Sequence, residues 1–215
     1  MSGMTNNPAR AARVKICGIT SLQDLSAAVA VGADAVGLNF YPPSPRYLEL
    51  ERAAEIGRRC PPFVNVVALF VNPERPAVEA VLRAVPAVSV LQFHGKEPPE
   101  FCASFGRAYV KTIGVHDEVD VAEEMRRYCD ASAVLLDSYD PVRWGGTGRE
   151  FDWNKVPDER VRPLVLAGGL NSENVADAIR RVRPFAVDVC GGVESSPGVK
   201  DREKLVAFMR SVEIV

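Results

Sequence analysis

The chain has 215 residues, 47% hydrophobic and 25% charged, and its 26 Lys and Arg against 28 Asp and Glu leave a net charge of −2. Such a chain is too apolar to be disordered and too neutral to present a nucleic-acid-binding surface. No apolar run reaches the ~20 residues that a bilayer crossing requires.

Residues 1–11 are polar, lack the apolar stretch of a secretory signal, and read as a loose lead-in to a single domain over 12–215. From there, short Val/Ile/Leu-rich runs alternate with amphipathic segments. The run at 13–17 is followed by a helix over 21–31, capped by Thr20 or Ser21 and stopped before Gly32. The run at 35–40 precedes a helix over 48–59 that ends at Pro61-Pro62, and the run at 64–70 precedes one over 74–85 that ends at Pro86. After the run at 88–93 comes the weakest helical pattern, 98–105. The remaining runs are 108–113, 133–137, 164–167 and 186–189, with helices expected over 117–129, 171–181 and 201–209. The runs do not alternate cleanly between apolar and polar residues, as expected of parallel strands covered by helices.

Eight such runs in regular βα order predict an α/β fold: a single-domain (β/α)8 TIM barrel with eight parallel strands and right-handed crossovers. An open Rossmann or flavodoxin-like sheet is the competing architecture. Cys17-Gly18-Ile19-Thr20 stands where a G-x-G-x-x-G turn would follow the first strand, which counts against it. The five cysteines (Cys17, Cys60, Cys102, Cys129, Cys190) are scattered, odd in number and without a C-x-x-C pair, which fits a reduced, cytoplasmic protein.

In a barrel of this kind the chemistry lies at the C-terminal ends of the strands. Lys15 and Cys17 share one face of the first strand. Asn39 ends the second with Arg46 in the loop behind it, His94 ends the fourth, Asp137 the sixth, and Asp188 lies in the eighth. Each has an ordinary alternative: an inert core cysteine, a satisfied core histidine, an aspartate bonded to a nearby amide, an arginine in a solvated turn. Their convergence on one mouth makes a site the better reading. Gly168-Gly169 after strand seven and Gly191-Gly192-Val193 after strand eight suit a phosphate cradle of backbone N–H groups. Gly145-Gly146-Thr147-Gly148, in the long loop after strand six, suits a lid. No His/Asp cluster has metal-ligand spacing, so neither metal nor organic cofactor is expected.

Over residues 13–210 the sequence resembles the phosphoribosylanthranilate isomerase family. The resemblance rests on Val14-Lys15-Ile16-Cys17-Gly18-Ile19-Thr20, Gly32-Ala33-Asp34-Ala35-Val36-Gly37, Ser44-Pro45-Arg46-Tyr47, Leu91-Gln92-Phe93-His94-Gly95, Leu136-Asp137-Ser138, Leu166-Ala167-Gly168-Gly169-Leu170 and Gly192-Val193-Glu194. It implies an Amadori rearrangement of N-(5-phosphoribosyl)anthranilate in tryptophan biosynthesis, with Cys17 as general base, Asp137 as general acid and Arg46 holding the anthranilate carboxylate. A small phosphosugar-anthranilate substrate and a monomer or homodimer follow from the same resemblance, with no nucleic-acid or membrane partner. The chain departs from the family pattern at Cys190-Gly191, where relatives often carry two serines, at Phe93, where Leu is common, and in the stretch 139–144. The alternatives are another phosphosugar barrel, a synthase or epimerase that would not need Cys17 with Asp137, and a non-catalytic phosphosugar-binding barrel.

Overall fold

The computed structural model describes residues 11–139 and 150–215. Eight parallel strands close into a barrel in chain order: β1 (Arg13–Ile16), β2 (Ala35–Asn39), β3 (Asn65–Phe70), β4 (Val88–Phe93), β5 (Ala108–Val115), β6 (Ala133–Ser138), β7 (Leu164–Leu166) and β8 (Ala186–Val189). The open-sheet alternative is excluded by the β1–β8 ladder, which pairs Lys15 with Asp188 and Ile16 with Val189. Around the barrel pack α1 (Leu22–Ala30), α2 (Leu50–Arg59), α3 (Arg75–Ala84), α4 (Pro99–Ala103), α5 (Val121–Arg127), α6 (Val175–Val182) and α7 (Arg202–Glu213).

Because strand side chains alternate, each strand serves two layers. Val14, Ile16, Leu38, Phe70, Leu91, Leu136, Val187 and Val189 face outward and join the large core beneath the helices. Ala133, Leu135, Val165, Ala167 and Ala186 face inward and fill one part of the barrel. Nearer the mouth the inward positions turn polar: Lys15, Asn39, Gln92, Asp137 and Asp188 are all buried.

Helix starts follow local hydrogen bonding more closely than apolar period. Ser21 caps α1 by accepting from the Asp24 amide at 3.0 Å. The segment expected to be helical from 117 begins at Val121, because Asp120 accepts from the Glu123 amide and acts as the cap. The helix expected from 171 begins at Val175, because Asn171 Oδ1 takes the amides of Glu173 and Asn174 in a turn. Conversely α7 runs to Glu213, past the expected 209, and buries Val212. A small antiparallel hairpin, β9 (Glu194–Ser196) with β10 (Val199–Lys200), follows a 3-10 turn at Gly191–Val193. Strands of three and two residues leave no periodic trace in a sequence.

Candidate active site

Cys17 stands at the end of β1, where its amide extends the ladder by donating to Val189 O at 2.9 Å. Its thiol fits because β2 carries glycine alongside: a Cβ on Gly37 would lie 2.8 Å from Cys17 Sγ and 3.2 Å from Lys15 Cε. Beneath, Lys15 Nζ donates to Asp188 Oδ2 at 2.8 Å. Burial opposes the Lys15 charge, but Asp188 and Cys17 outweigh it and hold the ammonium above its ordinary value. Burial pushes the Asp188 carboxyl up to about 7, with the Lys15 bond working against it.

Cys17 is held well below an ordinary thiol, chiefly by the Cys190 thiol beside it, against the cost of burial and with help from Lys15 and Lys200. Lys15 thus contributes, as expected of a cation on the same face. The larger influence is Cys190, one of the positions where the chain departs from the family pattern.

Asp137 ends β6, buried, with Oδ1 accepting the Ser138 amide at 2.8 Å. Desolvation lifts its carboxyl to about 6, and the Cys17 charge adds to that lift while the Ser138 amide opposes it. His94 Nε2 lies 3.6 Å from Asp137 Oδ2. Burial, then Lys111 and Lys15, push His94 down to about 3, so it faces Asp137 as a neutral imidazole. A buried clamp holds this corner. Lys111 Nζ donates to Glu97 Oε2 at 2.7 Å and Gly95 O at 2.6 Å, and Glu97 accepts the amides of Asn72 and Gly95. Among the described residues, the buried atoms Gln92 Oε1, His94 Nδ1 and Asp188 Oδ1 have no partner.

Arg46 is not a solvated turn residue. It is buried, donating from Nε to Glu194 Oε1 at 2.9 Å and from Nη2 to Oε2 at 2.7 Å. Lys200 Nζ donates to the same Glu194 Oε1 at 2.8 Å and to Cys190 O at 3.2 Å. Despite burial, these two cations hold the Glu194 carboxyl below its ordinary value. Two cations share one carboxylate here, so this side of the mouth carries an excess positive charge. The sequence places Glu194 at the end of a motif but gives neither Glu194 nor Lys200 a role; the signal was two ionisable residues either side of a Pro197-Gly198 turn.

Cys17, Asn39, Arg46, Gln92, His94, Asp137 and Asp188 line one cleft of about 600 Å³ together with Gly168, Gly169, Cys190, Gly191 and Gly192. Lys15 lies below it, under Cys17. Gly168 and Gly169 have positive φ (83° and 65°), and a Cβ on Gly168 would lie 2.8 Å from the Ser138 amide nitrogen. Gly192 packs against the neighbouring loop: a Cβ there would lie 2.0 Å from Leu170 O. Its missing side chain therefore lets the loops after β7 and β8 touch, rather than leaving room above a ligand. The Val193 amide donates to Cys190 O at 3.4 Å. The expected lid at Gly145, Gly146, Thr147 and Gly148 falls outside the described residues. Among the described residues no group of three or more His, Cys, Asp or Glu is arranged to hold a metal ion, and no helix is long and apolar enough to cross a membrane.

The sequence profile of N-(5'-phosphoribosyl)anthranilate (PRA) isomerase matches residues 14–211. The chain belongs to the phosphoribosylanthranilate isomerase family. Among the relatives is the N-(5'-phosphoribosyl)anthranilate isomerase of Nitrosococcus oceani, 51% identical over 203 residues that cover 94% of this chain and 98% of that one. The Cellvibrio japonicus isomerase is 53% identical over 196 residues, covering 91% of each. The phosphoribosylanthranilate isomerase structure from Thermotoga maritima superimposes with a TM-score of 0.87 at 42% identity, covering 95% of this chain and all of that one. A second structure, of phosphoribosylanthranilate isomerase with reduced 1-(o-carboxyphenylamino)-1-deoxyribulose 5-phosphate, matches at a TM-score of 0.80 and 40% identity, covering 95% of this chain and all of that one.

Proposed function

We infer that this chain performs the reaction of its family, the isomerisation of N-(5'-phosphoribosyl)anthranilate in tryptophan biosynthesis, with Cys17 as the base and Asp137 as the acid. The observation that carries the reading is that one cleft holds a thiol pushed down and a carboxyl pushed up toward neutrality. Asp137 protonates the ring oxygen as the furanose opens. The Cys17 thiolate then removes the C2′ proton of the resulting Schiff base, and the enolamine ketonises. One acid and one base suffice, and neutral His94 beside Asp137 adds no charge that would draw off the acid's proton.

Arg46 presents its Nη1 edge to the anthranilate carboxylate while Glu194 occupies Nε and Nη2. The touching loops at Gly168-Gly169 and Gly191-Gly192 receive the phosphate, with Lys200 and Arg46 supplying the positive field. Lys15 and Asp188 lock β1 to β8 under the base, and Asp188 Oδ1 accepts a substrate hydroxyl. A cytoplasmic location and a monomeric or homodimeric state accord with this reading; a structure of the Thermotoga maritima enzyme describes monomers generated from a dimeric isomerase.

The test follows the decay of phosphoribosylanthranilate fluorescence on adding purified protein. Cys17→Ser and Asp137→Asn are expected to lower kcat by at least ~10²-fold with the fold unchanged by circular dichroism. Near-normal turnover in either variant removes that residue from the mechanism.

A further inference from the structure

Five cysteines are free in this chain, and two of them meet. Cys17 follows β1 and Cys190 follows β8, one position past the paired Ile16 and Val189. Neighbouring strands lie ~4.8 Å apart, within the Cα separation of about 4.4–6.8 Å that a disulfide spans. Both side chains belong to one small cluster at the mouth with Leu69, Val71 and Tyr41, and both line the open cleft. Close approach is secured by Gly18, whose φ is 73°: a Cβ there would lie 3.1 Å from Cys190 Sγ. In the reduced state Cys190 Sγ lies 3.7 Å from Glu194 Oε1, and Lys200 Nζ lies 3.9 Å from the same sulfur.

We propose that Cys17 and Cys190 form a reversible redox pair, in which hydrogen peroxide oxidises Cys17 and Cys190 resolves it as an intramolecular disulfide across the β1–β8 seam. The Cys17 thiolate attacks the distal peroxide oxygen; the S–O bond forms as the O–O bond breaks, and the leaving hydroxide is protonated to water. Cys190 sulfur then attacks Cys17 sulfur. The S–S bond forms, the S–O bond breaks, and the departing hydroxide takes the Cys190 proton as a second water. In total two thiols lose two hydrogens and two electrons, and one peroxide becomes two waters.

The surroundings favour both steps. Peroxides attack low-pKa thiolates that they can reach, and Cys17 is a lowered thiol, buried in the wall of the cleft. Cys190 is held well above an ordinary thiol chiefly by the Cys17 thiolate and by burial. Oxidation of Cys17 cancels that negative charge, so Lys200 and Arg46 then favour the Cys190 thiolate, whose proton leaves with the departing hydroxide. The first step thus switches on the second. Catalytic silencing, as opposed to the cross-link itself, rests on the reading of Cys17 as the base.

The test treats the full chain with hydrogen peroxide, quenches with an alkylating reagent, and maps tryptic peptides without reduction. The expected result is a Cys17–Cys190 linked peptide lighter by two hydrogens, a loss of turnover of roughly tenfold or more, and recovery with dithiothreitol. Cys190→Ser, compared with its own untreated activity, is expected to accumulate Cys17 with two added oxygens and to stay inactive after dithiothreitol. Wild-type protein in which Cys17 gains oxygens while Cys190 remains alkylatable overturns the proposal, as does reversible inactivation of Cys190→Ser. A complete cross-link with full turnover leaves the redox pair standing and removes Cys17 from the mechanism.

Discussion

At the scale of single residues, the thiolate depends on a side chain that is missing. Gly37 leaves the space that Cys17 Sγ occupies, and the 2.8 Å approach of an added Cβ is too short to absorb without moving the sulfur or β2. Gly37→Ala is therefore expected to cut kcat by more than ~10-fold with little change in KM, because a displacement near 1 Å misaligns proton transfer. Steady-state kinetics checks it, and an unchanged kcat sinks it. The acid sets the other limit. On the proposed mechanism Asp137 acts protonated, so kcat/KM is expected to fall as pH rises through about 6, and Cys17 acts ionised, so kcat/KM is expected to fall again below the lowered pKa of that thiol. The residual activity of Asp137→Asn should lack the upper limb of a pH–rate profile.

Elements explain what no single residue does. The hairpin β9–β10 carries Glu194 and Lys200, and it is tied down by Lys204 Nζ on Glu194 O at 2.7 Å and by Asp24 Oδ1 on the Lys200 amide at 3.1 Å. It holds Arg46 from behind, so the arginine meets a ligand already oriented. A lysine cannot bond Glu194 bidentately and reach forward at once. Arg46→Lys is expected to raise KM by about 10-fold or more with a smaller effect on kcat. Arg46→Ala, which strands a buried carboxylate with one cation fewer, should also lower stability by ~3 kcal/mol in urea titrations. Gly192→Ala must separate the loops after β7 and β8, and calorimetry should find inorganic phosphate bound more weakly by ~1–3 kcal/mol.

The strands and the polar residues ending them were legible in the sequence because both-face burial writes a continuous apolar run and a polar residue interrupts it visibly. So was the meeting of Cys17, Asp137 and Arg46 at one cleft, once their motifs stood in order. The Arg46–Glu194–Lys200 network was not, since it joins residues 148 apart through a hairpin too short to have a period. Nor was the Cys17–Cys190 contact, which depends on barrel closure. The direction of Gly192 could not be read either: a glycine shows that a side chain is excluded, and only the backbone shows by what.

For the molecule as a whole, function and stability pull against each other at Asp137. Its carboxyl titrates at about 6 in the fold against an ordinary 3.8. Below pH 3.8 it is protonated folded or unfolded and costs nothing. Between pH 3.8 and about 6 the unfolded state ionises while the fold keeps its proton, so a penalty builds that reaches about 3 kcal/mol and stays constant above that range. Asp137→Asn keeps an acceptor for the Ser138 amide and removes the penalty. Urea midpoints should show the variant more stable than wild type, by more at pH 8 than at pH 5. Equal midpoints at both values contradict the raised pKa.

The seam between β1 and β8 also sets an order of events during synthesis. Lys15 leaves the ribosome 173 positions ahead of its counterion Asp188. Until then an inward-facing ammonium has no partner, and a partly closed sheet around it is disfavoured. The nascent chain is thus discouraged from sealing an incomplete barrel. The Cys17 thiolate likewise lacks its largest support, the Cys190 thiol, until the last strand docks.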